Sequence, residues 1–231
     1  MDTVNAASAL PAAVLWDMDG TLVDTEPYWI RAEHELVESF GGTWTHDLAL
    51  SLVGNPLLVS ARFIIDNSPV DLSPEEVVHR LQNRVIEQVG DAVPWRPGAR
   101  ELLAGCRAEG IRCALVTMSW TDLAAAVVDA TPEGSFDVVV TGDRVTHGKP
   151  HPEPYERAVR ELGVQVGECV ALEDSPTGVR SAVAAGVPTL AIPHVVEVPE
   201  ITGAVQVPTL AGLTSFDLLA AARGQLPAAR P

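Results

Sequence analysis

The chain has 231 residues, 47% of them hydrophobic, with 18 Gly and 18 Pro, which suits one large domain or a domain carrying an insertion. A formal net charge of −16 and a pI of about 4.6 exclude the basic stripe that grips a nucleic-acid backbone, and argue against an anionic membrane surface. No apolar run approaches the roughly 20 residues that span a bilayer, the first residues carry Asp2 where a leader would be basic, and the three cysteines lie in no CxxC spacing, so a cytoplasmic protein is expected.

The first predicted element is the apolar run Ala12–Trp16, read as a strand. Helical patterns follow without a convincing strand from about Glu26 to Val93. "PYWIRAEHELVESFGG" stops on glycine, "NPLLVSARFIIDNS" gives a second helix, and "SPEEVVHRLQNRVIEQVG" opens on Ser73 as N-cap, Pro74 at N1 and Glu76 closing a capping box. Pro94 and Pro97 mark the return, with Pro97 read as the first residue of the helix that runs to Gly110. From there short apolar runs, Ile111–Val116, Phe136–Val140, Cys169–Leu172 and Thr189–Ile192, alternate with the helical stretches "TDLAAAVVDA", "PEPYERAVRELG" and "TGVRSAVAAG". Runs that are continuously apolar fit strands buried on both faces of a parallel sheet. The reading is an α/β, doubly wound parallel sheet core, residues 1–25 and 94–231, with an all-helical insertion at 26–93. The tail "GQLPAARP" reads as frayed.

In open parallel sheets ligands bind beyond the carboxyl ends of the strands. The first strand ends in Asp17-Met18-Asp19, the second in Thr117-Met118-Ser119, the fourth in Glu173-Asp174-Ser175, and Lys149 precedes a helix start. Lys149 is the only lysine against fourteen arginines, a mild hint that this position wants an ammonium. Residues two apart on an extended segment share a face, so Asp17 and Asp19 can both reach one pocket while Met18 packs the other way. Such a cluster cannot stay ionised alone. A hard divalent cation offsets the repulsion, and an all-oxygen ligand set with no His or Cys suggests Mg²⁺. His147 and His151 flank Lys149 and read as exposed loop histidines; the insertion's Arg31, His34, Arg62, His79, Arg80 and Arg84 read mostly as solvated charges. Trp29, Trp44 and Trp120 are candidates for the cleft between insertion and core, with core packing as the competing reading.

These residues resemble the haloacid dehalogenase superfamily, in the subgroup of small-sugar phosphatases and β-phosphoglucomutase with a helical cap after the first strand. The motifs are Asp17-Met18-Asp19-Gly20-Thr21, Thr117, Gly148-Lys149-Pro150-His151-Pro152 and Glu173-Asp174-Ser175-Pro176-Thr177-Gly178, in order over nearly the whole chain. The resemblance implies that Asp17 attacks phosphorus, that Asp19 acts as acid and then base, and that Thr117, Lys149 and the Met118 backbone N–H hold the phosphoryl oxygens. It implies a metal held by Asp17, the Asp19 carbonyl and Asp174, with Glu173 near or on it. Met118 departs from the usual Asn or Gly, Trp16 from the usual Phe, and Glu153 from the usual Asp. The expected function is a Mg²⁺-dependent phosphatase acting on a small phosphomonoester. The alternatives are a β-phosphoglucomutase-type phosphomutase and, from another class, a non-catalytic binding member of the fold. Asp19 disfavours dehalogenation, because a departing halide needs no acid. The absence of lysine from the insertion disfavours Schiff-base phosphonate chemistry. A monomer is expected, since nothing in the sequence marks an interface.

Overall fold

The computed structural model describes residues 10–225; the leader reading of the first residues and most of the tail read as frayed lie outside the described residues. Six parallel strands form one sheet: β1 Ala13–Trp16, β2 Arg112–Val116, β3 Val138–Val140, β4 Cys169–Glu173, β5 Thr189–Ala191 and β6 Ala204–Gln206, in the order β3-β2-β1-β4-β5-β6. β1 lies between β2 and β4, with Leu15 opposite Ala114 on one side and Ala171 on the other. All four of its residues are buried, which is why it reads as a continuous apolar run.

Alternate residues of β1 serve different layers. Val14 and Trp16 join a core with Leu102, Leu103 and Cys106 of α5 (Ala99–Ala108) and Leu218. Ala13 and Leu15 face Tyr155, Ala158 and Leu162 of α7 (Glu153–Leu162) and Ala182 of α8 (Pro176–Ala184). α6 spans Thr121–Asp129, and α9 Leu218–Ala222 follows the last strand. A sheet covered on both faces by the helices between its strands is the doubly wound arrangement.

Between β1 and β2 the chain is helical: α1 Glu26–Ser39, α2 His46–Leu50, α3 Leu57–Asp66 and α4 Pro74–Asp91. α4 is the spine of this unit, packing against α1 and α3 and also against α6 of the core. Its start carries the expected capping box, with the Ser73 hydroxyl accepting from the Glu76 N–H and Glu76 accepting from the Ser73 N–H. Three short elements, α2, α9 and β6, were not expected from the sequence. Each has only three to five residues, too few to show a period. α5 begins at Ala99 and not at Pro97. Gly98 adopts φ 82°, and a Cβ there would lie 2.4 Å from the Ala211 nitrogen, so tertiary packing sets the start.

Candidate active site

The carboxyl ends of β1, β2 and β4 meet at one point. The Asp17 N–H continues the ladder to the Leu172 carbonyl at 3.0 Å, then the chain leaves the sheet. Met18 packs fully buried, while its carbonyl accepts from the N–H groups of Leu22 and Val23 at 2.9 and 3.0 Å. Gly20 makes this turn possible. Its φ is 88°, and a Cβ would stand 2.0 Å from Asp174 Oδ2.

Lys149, 5% exposed, reaches into the centre. Its Nζ donates to Asp17 Oδ1 and Glu173 Oε1, both at 2.6 Å, and to the Val116 carbonyl at 2.8 Å. Tyr155 donates its hydroxyl to the same Glu173 oxygen at 2.5 Å. A Cβ on Gly178 would lie 1.9 Å from Glu173 Oε2, so α8 can sit this close only because that residue is glycine. Asp17, Glu173 and Asp174 each offer an oxygen within 4.8 Å of the others, and all three residues are buried. Three carboxylates against one ammonium leave excess negative charge. Asp17 Oδ2 is buried with no hydrogen-bond partner among the described residues. An all-oxygen, electron-rich set with an unsatisfied carboxylate oxygen fits a divalent cation.

Asp19 sits beside this cluster and is engaged differently. Thr25 and Trp29 donate to its Oδ1 at 2.5 and 3.4 Å; Ser119 and Thr117 donate to its Oδ2 at 2.8 and 3.2 Å. The Thr117 hydroxyl also accepts from the Ser119 N–H at 3.0 Å. The Met118 sulfur accepts from the Lys149 N–H at 3.2 Å. The Met118 backbone N–H donates to no group among the described residues and remains available.

The electrostatics follow from burial. In the metal-free cluster burial, and then the Glu173 charge, push Asp17 up to about 7 against the opposing pull of Lys149. Asp174 rises for the same reasons, burial first and the Asp17 and Glu173 charges next. Burial pulls Lys149 down, but the adjacent Asp17 and Glu173 carboxylates outweigh it and hold the ammonium.

α1 and the loop after α2 cover the cluster and leave a cleft. Glu26, Trp29 and Glu33 line it from α1, and Gly54 and Asn55 from the loop. The Gly54 carbonyl accepts from the Thr177 hydroxyl at 3.3 Å, tying that loop to the core. Of the three tryptophans considered from sequence, Trp29 lines the cleft. Trp44 packs edge-on to Phe63, and Trp120 edge-on to His79. Arg84 pairs with Glu35 and Glu87 at the surface, and Arg80 stacks over Phe40. His147 and His151 are exposed, their rings 4.7 Å apart.

The structure thus brings together Asp17, Lys149, Glu173 and Asp174, with Asp19, Thr117 and Met118 adjoining. Ser119, Thr25 and Tyr155 were missed. Ser119 carries a readable signal, since it stands two residues after Thr117 on the same extended segment. Tyr155 carries none, being one apolar position in an amphipathic helix.

A parallel α/β sheet whose strand ends gather acids around a lysine, beneath an inserted helical unit, defines a hydrolase of the Rossmann-like kind. The profile of the haloacid dehalogenase-like hydrolases matches residues 14–192, and the chain belongs to that family. It is 31% identical over 223 residues to hexitol phosphatase B of Escherichia coli, covering 90% of this chain and 96% of that one. It is 32% identical over 176 residues to a phosphorylated carbohydrates phosphatase of Thermotoga maritima, covering 76% and 82%. A solved mutant of CbbY from Rhodobacter sphaeroides, in complex with xylulose-(1,5)bisphosphate, superposes with a TM-score of 0.79 at 29% identity, covering 88% and 96%. Within its family the chain is a phosphatase-class enzyme.

Proposed function

We propose that this chain is a Mg²⁺-dependent phosphatase hydrolysing small phosphomonoesters, sugar or polyol phosphates, through an aspartyl-phosphate on Asp17. The observation that carries the reading is the buried Asp17 carboxylate, one oxygen held by Lys149 and the other without a partner, opening onto a cleft. With Lys149 fixing the carboxylate, one oxygen can be presented to phosphorus while the other would share the cation.

Asp17 forms a bond to phosphorus as the ester P–O bond breaks. Asp19, as general acid, gives a proton to the departing alkoxide. Asp19 then takes a proton from water, whose oxygen attacks phosphorus and releases phosphate, so Asp17 is restored. Thr25, Trp29, Thr117 and Ser119 hold the Asp19 carboxyl in place for both proton transfers. Lys149, the Thr117 hydroxyl and the Met118 N–H line the position of the phosphoryl oxygens, over which the transition-state charge spreads. Mg²⁺, held by Asp17, Asp174 and the Asp19 carbonyl with Glu173 beside it, would supply positive charge to the reacting phosphoryl group. Helices α1 to α4, within residues 26–93, act as a cap that excludes water and chooses the alcohol. Cys106, Cys113 and Cys169 are all buried free thiols, in keeping with a reducing compartment.

The test is hydrolysis of p-nitrophenyl phosphate with Mg²⁺ and with EDTA. We expect Mg²⁺-dependent turnover that falls on the order of 10³-fold or more in Asp17→Asn, since no nucleophile remains. Turnover that is indifferent to that substitution would refute the mechanism. Conversion of β-glucose 1-phosphate into glucose 6-phosphate without release of phosphate would replace hydrolysis by mutase chemistry.

A further inference from the structure

We propose that the cap side of this cleft is a charge filter: it accepts phosphomonoesters whose alcohol portion carries no negative charge, and Glu33 is the residue that sets the filter. The inference rests on the phosphatase reading above and specifies the substrate class of that same site. Two acids of α1, Glu26 and Glu33, face the cleft from the cap, and no guanidinium does. Among the described residues, the basic side chains lining it are Lys149 and His194. Lys149 belongs to the reacting end of the cleft, beside Asp17 and Glu173, and the His194 Nε2 stands 2.9 Å from Asp24 Oδ1, whose charge offsets any on the imidazole.

Glu33 is 6% exposed, and its Oε2 accepts from the Trp44 indole N–H at 3.0 Å. Trp44 is itself buried against Phe63, so the carboxyl is pinned in one orientation. Burial holds both acids partly protonated near neutral pH, so their combined negative charge is complete only above about pH 8. Burial, and beyond it the neighbouring Glu26, lifts Glu33 to about 8 even though the indole proton opposes the shift. Burial, with Asp19 and Asp24, lifts Glu26 to about 7. Above about pH 8 a carboxylate or second phosphate on the substrate would meet these two charges without a counter-ion. A hydroxyl pays no such penalty, because it can donate to a carboxylate or accept from a protonated carboxyl. Exclusion by an unpaired like charge is a recognised route to specificity.

The experiment compares kcat/KM for pairs of esters in which one terminal hydroxyl or hydroxymethyl group of the neutral partner is made anionic. Sorbitol 6-phosphate is set against 6-phosphogluconate, and fructose 1-phosphate against fructose 1,6-bisphosphate, with Mg²⁺ at about pH 8.5, above the value for Glu33. The expected preference for the uncharged partner is on the order of a hundredfold, the scale of an uncompensated like-charge contact. Glu33→Gln should shrink that ratio about tenfold. Asn55→Lys, which adds an ammonium at a partly exposed position of the lining, should shrink it independently by raising kcat/KM for the charged partner. A loosened fold lowers both partners together, so the ratio reads recognition and not stability. Wild-type ratios below about tenfold would overturn the filter. Ratios that stay put in Glu33→Gln while they move in Asn55→Lys would overturn the assignment to Glu33. Release of phosphate from none of the esters, p-nitrophenyl phosphate included, would instead remove the phosphatase reading and the filter with it.

Discussion

Lys149 shows how one residue can hold a site together before any metal binds. Among the described residues its ammonium is the one cation bonded to Asp17 and Glu173, and the Val116 carbonyl at the end of β2 takes its third proton. Removing one partner of a buried ion cluster leaves uncompensated charge, which typically costs about 3–5 kcal/mol. Lys149→Met keeps the stem and deletes the charge. In EDTA this variant should lose about 3 kcal/mol of stability by urea denaturation, and Mg²⁺ should recover part of the loss by neutralising the same carboxylates. A metal-free loss below about 1 kcal/mol would show that the cluster tolerates its charge without Lys149. The residue was legible in the sequence through the motif Gly148-Lys149-Pro150-His151-Pro152 just before α7, its being the only lysine adding a mild hint. Its partner network was less so. Glu173 was expected near or on a metal, and the structure shows its Oε1 shared between Lys149 and Tyr155, a bond that no local pattern around Tyr155 announces. Ser119 and Thr25 bind Asp19 through contacts between segments distant in sequence or across the hinge, and the sequence supplies only their proximity to motif residues.

Elements with strong local chemistry were readable, and elements made by packing were not. α4 carries Ser73, Pro74 and Glu76 in the order a helix start requires, and the chain folds there as those residues dictate. β6, with two half-buried residues and an exposed Gln206, exists because β5 presents an edge for it: Val205 pairs with Leu190. α5 begins where Gly98 touches the Ala211 backbone, a contact with a segment more than a hundred positions later. The α4 cap matters beyond its own helix, because α4 packs on α1, which carries Glu26, Trp29 and Glu33 into the cleft. Ser73→Ala removes the acceptor for the Glu76 N–H. It should lower the thermal midpoint by about 2–4 °C, the effect of one lost helix cap in a chain of this size. A midpoint unchanged in a calorimetric scan would mean that tertiary packing, and not the cap, sets the stability of this helix.

For the whole molecule, the same arrangement that makes the site reactive makes the metal-free fold sensitive to pH. β1 lies between β2 and β4, so the acids of β1 and β4 and the lysine after β3 converge at the point where the sheet's order reverses. Among the described residues Lys149 is the cation that neutralises them, joined on our reading by Mg²⁺. Asp17 is pushed up to about 7, Glu26 to about 7 and Glu33 to about 8, burial being the leading cause each time, and Asp174 also rises. Each of these groups binds its proton more tightly in the folded chain than in the unfolded one. Below about pH 4 both states are protonated and the groups contribute no difference. Above it the unfolded chain releases protons that the folded chain retains, so stability falls as pH rises toward the folded values. The carboxylates with lowered values, Glu35, Glu76 and Glu153, act at lower pH and do not mask this window. In EDTA the thermal midpoint should therefore decline from about pH 5 to about pH 8. Mg²⁺ needs Asp17 and Asp174 deprotonated, so its binding releases protons and tightens with pH. The rise in midpoint on adding Mg²⁺ should accordingly be small at about pH 5 and largest at about pH 8, with Glu26 and Glu33 leaving a residual decline that the metal does not cancel. A metal-induced rise that is the same at both ends of that range would mean that Asp17 and Asp174 already stand ionised in the empty site, and that Lys149 alone offsets their charge.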